Sequence, residues 1–133
     1  MMCRAIADNM LKCILMAGLW MALPLPVYAA DDLAAARELT VRQCSQCHTF
    51  DKGEKHGQGP NLFGLIGRPA AAAPGFNYSD GIKEALKGKV WDAALLDAWL
   101  TDTLAVAPKA QMIYWQDDPK VRATLILFFE SQR

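Results

Sequence analysis

The sequence has no surplus of charge of either sign: 14 basic and 14 acidic side chains over 133 residues leave a formal net of zero. That argues against a nucleic-acid binder, and no acidic block long enough to act as a solvating tail is present. No internal repeat and no convincing alternation of apolar and polar residues appears, so neither a solenoid nor an all-β fold is indicated. A hydrophobic share of 53% and a charged share of 21% nonetheless exclude a disordered or collagen-like chain.

The scarce residues become informative once the N-terminus is read. Arg4 and Lys12, with Asp8 between them, precede an apolar run from Cys13 to Val27, and Val27-Tyr28-Ala29 offers the small residues that suit signal peptidase. The run is 15 residues long and interrupted by Pro24 and Pro26. A spanning helix wants roughly 20 apolar residues. Residues 1–29 are therefore expected to be a cleavable secretory signal peptide and 30–133 a single domain; a retained leader would instead tether the protein to the membrane. Translation from Met10 would give a more compact signal, and Cys13 follows Lys12 rather than the small residue of a lipoprotein site. Residues 30–133 hold 12 basic and 13 acidic side chains, one methionine (Met112), two cysteines (Cys44, Cys47) and two histidines (His48, His56).

Four segments of this domain read as helices. Residues 32–46 are rich in good helix formers, with Leu33, Ala36 and Leu39 or Thr40 spaced for one face. Residues 80–87 have Ser79 or Asp80 as a cap and Gly88 as a stop. Residues 92–101 place Leu95, Leu96, Trp99 and Leu100 on a stripe, and 119–131 begin with Asp118-Pro119, a cap followed by proline at the first helical position. The fold class is thus all-α, with about four helices. Between them, 49–79 is studded with Gly and Pro, and 102–117 shows no period. Loops that long are uncommon without a reason, and a large prosthetic group around which they fold would be one.

Cys44-Ser45-Gln46-Cys47-His48 has the C-x-x-C-H spacing of c-type haem attachment. Two thiols add across the porphyrin vinyl groups, and the following residue brings an imidazole to the iron. The rival chemistries fit less well. Structural zinc needs four ligands, and only His56 remains to add to this cluster. A thioredoxin-like pair wants a βαβ setting, and a plain disulfide leaves the long loops without a cause. One covalent haem c is the expected cofactor. His48 then supplies one axial ligand. Met112, four residues after Pro108, would ordinarily be core filler; with a haem in place a thioether is a known partner to His in electron-transfer cytochromes. His56, only eight residues after His48, reads as a hydrogen bonder that pins its loop.

These residues, taken with Gly59-Pro60-Asn61-Leu62-Phe63-Gly64, Gly67-Arg68, Pro74-Gly75-Phe76-Asn77-Tyr78-Ser79-Asp80, Trp91 and the Pro108–Met112 spacing, resemble the class I cytochromes c, of the mitochondrial type and its bacterial relatives. The resemblance implies that the Pro60 carbonyl holds the His48 imidazole, a contact that raises ligand basicity. It further implies that Tyr78 and Trp91 donate to a haem propionate, that Arg68 offsets propionate charge, and that one helix pair crosses behind the haem. Some residues depart from the pattern. Thr40 stands in for the large apolar residue that packs the first helix on the last. Lys109-Ala110-Gln111 stands in for glycine, threonine and lysine, Ile82 for an asparagine, Trp99 for a tyrosine beside the methionine sulfur, and Trp115 for a small residue after the ligand. Together they imply a drier pocket and a positive reduction potential distinct from the mitochondrial type.

The expected function is a monohaem, single-electron carrier of the respiratory-chain kind rather than an enzyme, exported to the periplasm. Its partners would be membrane oxidase or reductase complexes, docked transiently; neither nucleic acid nor a stable oligomer is expected. The docking surface would be the haem edge ringed by Lys52, Lys55, Lys83, Lys87 and Lys109, with salt dependence tempered by nearby acidic residues. The alternative is a haem enzyme of peroxidase type, or an electron-accepting subunit of a periplasmic dehydrogenase; a haem-based gas sensor is a third reading. Peroxide activation needs an open iron position and a polar distal pocket, for which no free distal histidine remains.

Overall fold

A computed structural model describes residues 29–132. The expected signal peptide lies, apart from Ala29, outside the described residues. Five helices follow in order: α1 (Ala30–Cys44), α2 (Asp80–Ala85), α3 (Ala93–Thr101), α4 (Thr103–Val106) and α5 (Pro119–Ser131). Among the described residues no strand forms; two isolated antiparallel bridges, Pro69 with Val90 and Asp102 with Trp115, are the only β pairing. None of the described helices is long and apolar enough to cross a membrane.

The helix starts are set by side-chain caps. Asp92 accepts from Leu95 N, Asp102 from Leu104 N and Ala105 N, and Asp118 from Lys120 N, each satisfying amides that the first turn leaves orphaned. Ser79 does the same for α2 through Ile82 N. The four-residue helix α4 is absent from the sequence expectation because one turn carries no readable period. Helix α1 ends at Cys44, two residues before the expected boundary. The amides of Cys47 and His48 both return to the Cys44 carbonyl, at 3.1 and 3.0 Å, and tighten the last turn.

Helices α1 and α5 cross, and α3 packs on both α4 and α5. On α1 the buried side chains are Ala36 and Thr40; on α5 they are Leu125, Phe128 and Phe129. The hydroxyl of Thr40 donates to the Ala36 carbonyl at 2.8 Å, so the polar group at this crossing is satisfied within its own helix. Phe50, from the segment after α1, meets Phe128 edge-to-face with ring centroids 5.8 Å apart. Leu65, Leu86, Trp91, Leu96, Trp99, Leu100 and Ala107 complete the core. Arg122 on α5, only 13% exposed, donates to Asp97 Oδ1 on α3 at 2.8 Å and to the Gln116 and Asp117 carbonyls, tying α3, α5 and the loop before α5 together.

Candidate functional site

The last turn of α1 delivers Cys44, and the tightened turn after it delivers Cys47 and His48. Both cysteines are half-buried free thiols. Burial, assisted by the neighbouring Cys47, pushes the Cys44 thiol up to about 11, so at neutral pH it is uncharged. His48 Nδ1 lies 2.7 Å from the Pro60 carbonyl oxygen, which can only accept, so Nδ1 carries the proton and Nε2 is the bare nitrogen. Burial lowers the His48 pKa, the Pro60 bond opposing it in part, and this too keeps Nε2 unprotonated. Gly59 is required beside this ring: a Cβ there would fall 2.3 Å from His48 Cε1.

The loop facing the motif is pinned by His56 and Asn61. His56 Nδ1 accepts from Asn61 N at 2.9 Å, which leaves Nε2–H to donate to the Pro74 carbonyl at 2.9 Å. Asn61 donates to Thr49 Oγ1 and the Asp51 carbonyl, and its own side-chain oxygen takes Phe63 N. Its carbonyl accepts two bonds from the Arg68 guanidinium, each 3.2 Å. Arg68 is half-buried, and no carboxylate pairs with it among the described residues. Burial lowers its pKa, with Tyr78 opposing. Arg68 and Trp91 are joined through the backbone, Trp91 N donating to the Arg68 carbonyl at 3.0 Å and Gly67 N to the Trp91 carbonyl at 2.7 Å. Trp91 is buried, edge-to-face on Trp99 at 5.7 Å. The Tyr78 hydroxyl accepts from Ala73 N at 3.3 Å.

Met112 is half-buried against the same core as Cys44, Leu62 and Ile82. Its loop is held by Thr103, a residue the sequence reading passed over. The fully buried Thr103 hydroxyl donates to the Met112 carbonyl at 2.9 Å, with the Tyr114 carbonyl at 3.2 Å, and accepts Tyr114 N at 3.0 Å. The Tyr114 hydroxyl in turn donates to Gln43 Oε1, next to Cys44. These contacts tie the Met112 loop both to α4 and to the end of α1. Hydrogen bonds thus join His48 to Pro60 and Arg68 to Trp91, Cys44 and Met112 pack on the core that holds Trp91, and Gly59, Asn61 and Thr103 lie against His48, Arg68 and Met112 in turn.

This donor set suits a covalently held haem. Two thiols sit three residues apart, a bare imidazole nitrogen faces away from its own hydrogen bond, and a half-buried guanidinium has no carboxylate partner among the described residues. No family model matches the chain. It is 35% identical to cytochrome c2 of Rhodomicrobium vannielii over 120 residues, covering 90% of this chain and 94% of that one. The chain belongs to the class I cytochrome c family. It is also 38% identical to cytochrome c-550 of Novispirillum itersonii over 107 residues, covering 74% of this chain and 96% of that one. Among solved structures it resembles cytochrome cH from Methylobacterium extorquens, with a TM-score of 0.66 and 34% identity over 75% of this chain and 98% of the other. As a member of this family the chain is a monohaem electron carrier, and its cofactor is one covalently bound haem c.

Proposed function

We propose that His48 and Met112 are the axial ligands of the haem iron, that Cys44 and Cys47 are its thioether anchors, and that Pro60, Arg68, Tyr78 and Trp91 make its protein surroundings. The observation that carries this reading is the 2.7 Å bond from His48 Nδ1 to the Pro60 carbonyl, which turns Nε2 outward as a fixed lone pair. The bound group supplies one-electron iron chemistry, at a potential that a His–Met ligand pair raises. The chain's own residues do the rest. Gly59 and Pro60 orient the imidazole, Thr103 holds the Met112 carbonyl, and Arg68 offers a guanidinium that lacks a carboxylate. Ile82, Ala110 and Met112 pack against the buried core that holds Trp99, which supports a dry pocket and a positive potential distinct from the mitochondrial type.

The domain at work is residues 30–133, exported to the periplasm after loss of 1–29, and it shuttles single electrons between membrane complexes through transient docking, without a stable oligomer. It acts as a carrier and not as an enzyme. Both histidines of the chain are occupied, His48 with Pro60 and His56 with Asn61 and Pro74, so no histidine is left to move protons at an open iron position. Spectra of the oxidised, reduced and carbon-monoxide-treated protein test this, with Met112→Ala alongside. Slow or absent carbon monoxide binding is expected in the unmodified protein and rapid binding in the variant. Rapid binding by both would overturn the Met112 assignment and favour the peroxidase-like alternative. A negative midpoint in a redox titration would count against both the dry pocket and the sulfur ligand, and mass spectrometry of the exported chain reads the cleavage site.

A further inference from the structure

The backbone after Met112 is extended and paired. Thr103 N donates to the Tyr114 carbonyl at 3.1 Å, Gln116 N donates to the Thr101 carbonyl at 3.4 Å, and Asp102 and Trp115 face each other in an antiparallel bridge. Side chains along such a stretch alternate between faces. Met112 and Tyr114 turn inward, whereas Ile113 and Trp115 are 68% and 67% exposed. Directly opposed residues of an antiparallel pair share a face, so the Asp102 carboxyl lies on the Trp115 side. Leu104, which follows on α4, is also exposed. Two large apolar side chains held outward on a fixed backbone, beside the ligand loop of an electron carrier, form a patch of the kind that marks interaction sites. Trp is among the residues that most often anchor interfaces.

The charges around this patch point to what covers it. Asp102, Asp117 and Asp118 are exposed, and none of their carboxylates pairs with a cation among the described residues; Arg122, which donates to the Asp117 carbonyl at 3.1 Å, has its charge paired with Asp97. The lysines expected to ring the docking surface are partly spoken for. Lys109 pairs with Glu84 at 3.8 Å and Lys83 with Asp80 at 3.6 Å. The local field beside Trp115 is therefore negative. An acidic partner surface would be repelled there, and a basic rim would be attracted.

We propose that Ile113 and Trp115 are the apolar anchor of the partner-docking surface, and that the partner is a redox protein presenting an apolar recess rimmed by lysine or arginine. The proposal rests on the carrier function of the family. One electron leaves the reduced carrier for the partner, or enters the oxidised carrier from it, with no bond made or broken.

Voltammetry of the haem-loaded protein on coated gold separates the possibilities. One coating is a mixed monolayer of methyl and quaternary-ammonium termini, and the other is a carboxylate monolayer. Faster electron transfer is expected on the mixed coating, falling as salt rises. Trp115→Ser is expected to slow it about tenfold there, in line with loss of an anchoring aromatic. Asp117→Lys should slow it and flatten the salt dependence, while the reduced spectrum and midpoint potential of both variants stay unchanged. Among the described residues the Asp117 side chain makes no hydrogen bond or ion pair, so that variant keeps the test decisive if Trp115→Ser fails to retain haem. Faster transfer on carboxylate would overturn the proposal in favour of the lysine ring, as would indifference of the mixed-coating rate to both variants. Concentration-dependent sedimentation abolished by Trp115→Ser would overturn it in favour of a second copy of the chain. Absence of c-type haem bands in the unmodified protein would instead fail the cofactor assignment beneath it.

Discussion

Thr103 carries its weight through one hydroxyl. It takes the Tyr114 amide hydrogen and turns its own proton toward the Met112 carbonyl. Thr103→Val keeps the shape and removes the partner, leaving buried backbone groups unpaired at a cost of about 1–3 kcal/mol. Urea unfolding should register that loss, and carbon monoxide should bind the variant faster because the methionine loop is less firmly held. An unchanged rate would mean that the loop is positioned elsewhere. Gly59 makes the opposite kind of contribution, by absence. In Gly59→Ala the added methyl group would meet His48 Cε1 at 2.3 Å, well inside contact distance, so the imidazole must swing. The expected result is a lower yield of haem-loaded protein and a weakened low-spin spectrum, read from absorbance per chain. Thr103 carries no signal in the sequence, and Gly59 is legible only as part of the Gly59–Gly64 stretch that bears the family resemblance. Cys44 to His48 are legible because their chemistry is written within five consecutive positions, whereas Thr103 reaches Tyr114 across 11 and looks in sequence like any threonine beside an aspartate.

At the scale of elements, the boundaries that sequence anticipates best are those with a local cap. Helix α5 occupies Pro119–Ser131 as expected, because Asp118 and Pro119 specify its first turn without help from the rest of the fold. The α1 terminus and α4 escape such reading. The first is closed by two amides converging on Cys44, and the second lasts a single turn between Asp102 and Ala107. Helix α2 is short and owes its position to a close approach. A Cβ on Gly81 would lie 2.6 Å from Lys109 Cβ and 2.8 Å from the Lys109 carbonyl. Gly81→Ala should therefore push α2 and the Met112 loop apart. We expect about 1–3 kcal/mol of destabilisation from overpacking, together with a higher affinity for cyanide in the oxidised protein. Full stability with unaltered cyanide binding would show that the two segments can separate without consequence.

For the molecule as a whole, helices α1 and α5 make the crossing, while 49–79 and 102–117 carry Pro60, Arg68, Tyr78 and Met112. The long loops that looked anomalous in an all-α sequence are held by side chains that reach backbone, as at His56, Asn61 and Arg122. Such contacts leave no periodic mark in sequence, so the loops' content is legible through the family resemblance and their geometry is not. The pH response also belongs here. Burial, and the bond to iron that the proposed ligation would add, keep His48 Nε2 unprotonated in the folded chain, so the unfolded chain binds that proton more readily. No penalty arises above about pH 6.5, the unfolded value, and stability drains away as pH falls from there toward the folded value. Thermal melts followed by circular dichroism should give a lower Tm at pH 5 than at pH 7. Equal values would mean that His48 titrates alike in both states.

The hydrogen bond from Tyr114 to Gln43 joins positions 71 apart, and what it separates matters as much as what it joins. On Gln43's side stand the two cysteines, and on Tyr114's side stands the methionine. A clasp so placed can spring open and shut without endangering the cargo. On the proposed ligation, its release would slacken the sulfur side alone, while thioether tethers at Cys44 and Cys47 would stay at the end of α1. On that arrangement, losing the sulfur ligand and losing the cofactor would be separate events.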